Sequence, residues 1–382
     1  MEKVKVAVIG TGGMGTGHAE GITKNVEETE LVAVCDFDKK VADEKAKTYG
    51  VPAFYDHKSL IKAGIADAVT IATPHYFHPP IAIDAFKAGL HVLSEKPIGV
   101  TVKAADKMLS AAEKSGLVFG VMYQQRTRGV MQAMKRLVDS GKLGRIYRAT
   151  MIETHFRTQA YYDSAGWRAT WKGEGGGVLL NQAPHGIDIF TWLMGLPEKL
   201  QAVTRTWRHN IEVEDEASAL IWWANGATGY YHTSTAEAPG ADVMEIAGDK
   251  GKIIFRNGTL TFYEIEPDVD TFCNDAGIMW GSPEAKETPV EIEDRPTGHS
   301  EIIRNWARAI LYGEELLSPG AEGIRSLEFI NAVILSGATG KPVEFPVPRE
   351  RYERFIKEKI ASSTFVKTVK EKRETDPKHV GK

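Results

Sequence analysis

The sequence is short of cysteine, with two in 382 residues, and Cys35 and Cys273 lie far apart without CxxC spacing. That pattern argues against a disulfide framework or a cysteine zinc site and leads us to expect reduced, buried thiols. The chain also lacks an apolar run long enough to cross a bilayer. No signal-peptide pattern precedes its first strand-like stretch, so it reads as cytoplasmic. One-sided charge is missing too. A net charge of −4 gives no electrostatic ground for a nucleic-acid or membrane partner. There is no internal repeat. What remains is ordinary globular composition, 42% hydrophobic and 26% charged, in a chain whose length suits two domains.

The most informative join is at the start, where Val4-Lys5-Val6-Ala7-Val8-Ile9 runs into Gly10-Thr11-Gly12-Gly13-Met14-Gly15. A buried strand entering a GxGxxG turn and then a helix is the fingerprint of a dinucleotide site. Gly10 makes the tight turn, Gly12 admits a pyrophosphate, and Gly15 lets helix and strand close up. Gly13 and Met14 open the helix, whose free N–H groups and positive dipole end suit phosphate. The next apolar run, Leu31 to Cys35, ends on Asp36, where a carboxylate can accept from a ribose 2′-OH and repel a 2′-phosphate. No Arg follows closely, so NAD is expected over NADP. Asp36 could instead simply cap the following helix.

Strand and helix patterns then alternate. Helices are expected over 39–49, to Gly64, over 80–87 and over 102–114, with strands at Ala68–Pro74, His91–Lys96 and Leu117–Tyr123. After Gly141 the pattern changes. A long β-run (Ile146–Phe156) leads through a Gly-rich loop to an amphipathic helix over 178–194. From Leu200 to Glu266, β-runs follow one another directly, with Asn-Gly turns between them. The expected architecture is an α/β Rossmann domain with a doubly wound parallel sheet (1–125). An α+β domain with an open, mainly antiparallel sheet follows (126–361). Two late helices, near 301–311 and 321–335, should pack back on the rest, and the lysine-rich tail 362–382 should be flexible.

Chemistry concentrates in two further segments. Glu95-Lys96-Pro97 stands at the end of the fifth strand, and Gly175-Gly176-Gly177-Val178-Leu179-Leu180-Asn181-Gln182-Ala183-Pro184-His185 follows the loop. Lys96 falls where a nicotinamide would lie, and a lysine beside that positive ring can lose its proton and act as a base. Asn181 and His185 are four apart and would share a helix face. Tyr161, Tyr162, Trp167 and Arg168, just before the Gly-rich loop, suit stacking on sugar rings and holding their hydroxyls. Arg126, His155 and Arg157 are further candidates for the cleft. His75 and His78 lack a third ligand, so no metal is expected.

Together these motifs resemble the Gfo/Idh/MocA family of NAD(P)-dependent oxidoreductases, from Lys5 to about Tyr352. The resemblance implies hydride transfer between a secondary hydroxyl of a sugar, glycoside or cyclitol and the nicotinamide. It implies that His185 is the acid/base residue, with Lys96 and Asn181 beside it. It also implies that Thr73, Pro74, His75, His78, Glu95 and Lys96 lie along the cofactor. The family commonly carries Asp at the position of Asn181, and Asn cannot take a proton. The stretch from Tyr161 to His185 looks most like the branch that oxidises C3 of unmodified sugars, as levoglucosan dehydrogenase does. Family members commonly pair through the open sheet, and Trp222-Trp223 and Tyr230-Tyr231 suit such a face, so a homodimer or homotetramer is expected. The alternatives are a redox-neutral NAD-dependent glycosidase and a non-catalytic NAD or sugar sensor, which would need neither Lys96 nor His185.

Overall fold

The computed structural model describes residues 2–370. Six strands, β1 (Val4–Ile9), β2 (Thr29–Cys35), β3 (Ala53–Phe54), β4 (Ala68–Ile71), β5 (His91–Ser94) and β6 (Phe119–Val121), form one sheet. Their order is β3-β2-β1-β4-β5-β6, and every neighbouring pair is parallel. The strands are nearly continuous apolar runs because both faces are covered. The order reverses between β1 and β4, and in such sheets the crevice at the carboxyl ends there takes the ligand.

One face of this sheet packs on the helices His78–Lys87 and Val102–Ser115. The other is covered by Ala19, Ile22 and Val26 and closed by a helix from far along the chain, His299–Tyr312. Its Ile302, Ile303 and Trp306 pack against Val4, Val6, Val8 and Leu93. The strand expected over Leu117–Tyr123 shortens to Phe119–Val121, because the Tyr123 N–H turns back onto the Val121 carbonyl.

The second sheet has nine strands: β7 (Ile146–Thr154), β8 (Lys199–Arg205), β9 (Glu216–Trp222), β10 (Thr228–Ser234), β11 (Asp242–Gly248), β12 (Gly251–Arg256), β13 (Thr259–Glu266), β14 (Glu284–Thr288) and β15 (Val343–Glu344). Their order is β14-β13-β12-β11-β7-β10-β9-β8-β15. All neighbours are antiparallel except β7 and β10. Helices Pro184–Met194 and Gly323–Thr339 cover one face. On the other, Val203 and Leu220 are exposed, with Trp222 and Tyr230 half-buried beside them. Strand alternation divides the aromatic pairs: Trp223 and Tyr231 point into the core, so only Trp222 and Tyr230 belong to the open face.

Two further expectations are corrected. The helix expected over 178–194 is two, Val178–Asn181 and Pro184–Met194, because Pro184 has no N–H to continue the ladder. Cys35 is buried as expected, but Cys273 is exposed on the short helix Val269–Asp275. The tail residues 363–370 carry no helix or strand, and Lys370 contacts the body of the protein. The Lys370 N–H donates to the Asp163 carbonyl at 3.0 Å, and its ammonium lies 3.3 Å from the Asp163 carboxylate. The remainder of the expected flexible segment, 371–382, lies outside the described residues. Among the described residues, no helix is long and apolar enough to cross a membrane.

Candidate active site

The glycine turn is shaped by contact on one side and by space on the other. Gly10 has φ +87°, and a Cβ there would lie 2.7 Å from the Ala72 carbonyl oxygen. A Cβ on Gly15 would lie 1.7 Å from the Gly10 oxygen, so strand and helix touch through bare backbone. At Gly12 and Gly13 an added Cβ would meet nothing within 4 Å. The helix Gly13–Glu20 therefore opens onto free space with no side chain capping its first N–H groups. Met14 is exposed at that end. Asp36, just past β2, faces the turn, and its carboxylate accepts from the Thr11 N–H at 2.8 Å and the Asp38 N–H at 3.0 Å. An open cradle with uncapped N–H groups and a carboxylate at the neighbouring strand end fits a dinucleotide.

The carboxyl end of β5 carries a cluster of titratable groups. Glu95 is buried and accepts from His18 at 2.9 Å. Burial alone would raise its carboxyl, but that hydrogen bond and the charges of His18, Lys96 and His299 bring it down to about 2. The Lys96–Pro97 peptide is cis. The Lys96 ammonium reaches across to the second domain and donates to the Asn181 carbonyl at 2.8 Å. Burial lowers its pKa, while Glu95 and Glu174 counter and Arg168 adds to the lowering. The break before Pro184 leaves the Asn181 carbonyl outside the helical ladder, where it is free to accept this bond. His185 follows on the next helix, its Nε2 3.3 Å from the Gln124 amide and its ring edge-on to Tyr123. Burial first, and then the Lys96 charge, push its pKa well below the ordinary histidine value.

Around Asn181 the side chains form one network. The Tyr161 hydroxyl donates to Asn181 Oδ1 at 2.8 Å and accepts from Arg168 at 2.5 Å and Gln182 at 2.7 Å. The Arg168 guanidinium also lies over the Tyr161 ring at 4.4 Å and the Trp167 ring at 4.8 Å. Asn181 Nδ2 donates to Glu174, a buried carboxylate that the sequence reading missed. Its only sequence signal is an acidic residue set directly before three glycines. His155 lies 3.3 Å from Glu153, whose other oxygen accepts from Tyr231 at 2.7 Å. Arg157 lies over the Tyr161 ring at 5.4 Å.

Three expected residues sit elsewhere. Arg126 is 1% exposed, bound through two nitrogens to Asp188 and through a third contact to Glu322, so it is a structural ion pair rather than a cleft residue. Tyr162 is buried, with its hydroxyl on Thr235 at 2.6 Å. His78 is fully buried, and its two nitrogens bond the Pro97 and Thr73 carbonyls at 2.8 and 2.6 Å. It ties the turn after β4 to the turn after β5 instead of facing outward. Thr73 and Pro74 remain partly open at that turn, while His75 is buried beside Trp167. Among the described residues, no group of three or more His, Cys, Asp or Glu side chains is placed to hold a metal.

Comparison with known proteins agrees with this geometry. Residues 4–123 match a family model described as the oxidoreductase family with an NAD-binding Rossmann fold, and residues 131–254 match the GFO/IDH/MocA C-terminal domain. An inositol 2-dehydrogenase from Rubrobacter xylanophilus is 27% identical over 376 residues, covering 93% of this chain and 97% of that protein. A levoglucosan dehydrogenase from Pseudarthrobacter phenanthrenivorans is 27% identical over 293 residues, 67% of this chain and 74% of its own. Among solved structures, the WlbA dehydrogenase from Bordetella pertussis in complex with NADH and UDP-GlcNAcA superposes with a TM-score of 0.77. It is 28% identical, and the match covers 91% of this chain and 100% of that one.

Proposed function

This chain belongs to the Gfo/Idh/MocA oxidoreductase family, and from that premise we propose that it oxidises a secondary hydroxyl of a sugar or cyclitol with NAD. The carrying observation is that Lys96, past the strand end, is bound to Asn181, four residues before His185, and that Lys96 and His185 are both buried, which lowers the pKa of each. NAD, when bound, supplies the hydride acceptor. The chain's own task is to position a hydroxyl and take its proton. His185, neutral at physiological pH, accepts that proton, and Lys96 holds the hydroxyl oxygen. Tyr161, Trp167 and Arg168 supply a ring-lined wall with fixed donors, which suits a polyhydroxylated ring. The substrate class is supported by the inositol and levoglucosan dehydrogenases among the relatives. Preference for NAD over NADP is supported by Asp36, whose carboxylate would repel a 2′-phosphate. Association through the open face of the second sheet, as a dimer or tetramer, is supported by exposed Val203 and Leu220.

The test is NADH formation by purified protein with NAD across free sugars, anhydrosugars, glycosides and inositols, with K96A alongside. Substrate-dependent NADH that vanishes in K96A is the expected result. Bound NAD with no NADH from any substrate would overturn net oxidation and favour the redox-neutral glycosidase.

A further inference from the structure

The Asn181 carboxamide can neither carry charge nor take a proton, and the structure sets a buried carboxylate directly against it. Glu174 is 1% exposed, and both of its carboxylate oxygens accept hydrogen bonds, one from Asn181 Nδ2 and the other from the Ala169 N–H at 2.5 Å. A carboxamide has two distinct ends, so the bond from Nδ2 to Glu174 fixes its orientation and leaves Oδ1 to accept from Tyr161 and Gln182. Donation then runs one way along the network, from Arg168 to Tyr161 to Asn181 to Glu174. A chain with a guanidinium at one end and a buried carboxylate at the other is mutually polarised. Asn181 also holds Lys96, through its backbone carbonyl.

We infer that Glu174 is the positioning carboxylate of this site: from the Gly-rich loop it fixes Asn181, whose backbone carbonyl holds the Lys96 ammonium, and so controls how Lys96 holds the substrate hydroxyl. This inference rests on the dehydrogenase reading above. The charged and titratable groups facing Glu174 are Lys96, Arg168 and Lys367 on the cationic side and Glu214 on the anionic side. The phenols of Tyr161 and Tyr162 feel its charge, and its backbone hydrogen-bonds His75. Burial raises the Glu174 carboxyl, while the Ala169 and Asn181 bonds and the charges of Arg168 and Lys96 restrain it. Its negative charge in turn favours the protonated form of Lys96.

The experiment uses three variants of the full chain: E174Q, N181D and E174Q/N181D. In E174Q the charge is lost and two amide donors face each other, so kcat/KM falls about tenfold or more. In N181D two carboxylates face each other, and activity falls as well. In the double variant the carboxamide introduced by E174Q donates to the carboxylate introduced by N181D, and most of the activity returns. The Lys96 titration, followed directly by 15N NMR with K96R for assignment, moves to lower pH in E174Q and returns in the double variant. Titration and kcat/KM in E174Q unchanged from the wild type, or a double variant no better than E174Q, would overturn the inference. The NMR titration needs no substrate. Failure to find any oxidised sugar therefore sinks the proposed activity without obscuring the result for Glu174.

Discussion

The Lys96 ammonium donates to the Asn181 backbone carbonyl at 2.8 Å, so one hydrogen bond joins the end of the first sheet to the last residue of the short helix Val178–Asn181. Both partners stand just outside regular structure or at its end. Strand β5 ends at Ser94, two residues before Lys96, and the helix breaks after Asn181, ahead of Pro184. The ammonium is thus positioned by both halves of the chain at once.

Replacing Lys96 by Ala should remove turnover, by roughly a hundredfold or more, while NAD affinity stays close to wild type. Calorimetric NAD titration beside steady-state kinetics separates the two effects. Loss of NAD binding without specific loss of kcat would mean that Lys96 is part of the cradle instead.

The pH dependence should carry the mark of His185. Its pKa is pushed well below 6.5 by burial and by Lys96, and a base works only above its pKa. The acid limb of kcat/KM should accordingly lie below the ordinary histidine range, and activity should persist through pH 6.5. In H185Q that limb should disappear along with most of the rate. A limb centred on the ordinary histidine value in the wild type would contradict the assignment.

Asp36→Ala should weaken NAD and narrow the gap between NAD and NADP, read as the ratio of their kcat/KM values. Each lost charge-assisted hydrogen bond is worth about 1.5–3 kcal/mol, which allows tenfold or more. An unchanged ratio would show that the ribose is read elsewhere.

Arg126 should behave as a stability residue. Asp188→Ala leaves a buried guanidinium with Glu322 as its remaining carboxylate and should cost about 3 kcal/mol by denaturant titration, with KM for the substrate nearly unchanged in whatever folded protein remains. A large KM effect with full stability would return Arg126 to the cleft.

Glu214 makes stability depend on pH. Burial raises its carboxyl to about 7, against the restraint of bonds from Gly177 and Leu179. A carboxyl whose pKa is higher folded than unfolded binds its proton more tightly in the folded state. Stability is therefore lost as pH rises from the unfolded value of 4.5 through about 7. Glu214→Gln should raise Tm above that window, around pH 8, and change it little at the acid end, around pH 5. A difference of the opposite sign would show that Glu214 is ionised and satisfied in the fold.

Much of this was legible in the sequence, and the parts that were not share a cause. Local geometry could be read: the Gly10–Gly15 turn and the alternation of strands and helices depend on residues near one another in the chain. Lys96 and His185 could be singled out because Pro97 and the glycine run mark unusual backbone. Arg126 and His78 misled because a polar residue near a cleft looks the same in sequence whether it faces solvent or a buried partner. Asp188 is 62 residues from Arg126, and Pro97 is 19 from His78. Glu174 was invisible for the same reason: only the folded loop reveals that its carboxylate meets Asn181.

The helix His299–Tyr312, resting on the first sheet, has a consequence for synthesis. While the ribosome is still making the second domain, Val4, Val6, Val8 and Leu93 have no Trp306 to cover them. The first sheet, although its residues match a family model by themselves, thus emerges with that flank covered only by its own Ala19, Ile22 and Val26, and the cover is completed once the chain has reached Tyr312. A fragment ending at residue 125 would lack Ile302, Ile303 and Trp306, which ties the burial of the glycine-turn sheet to the far end of the chain.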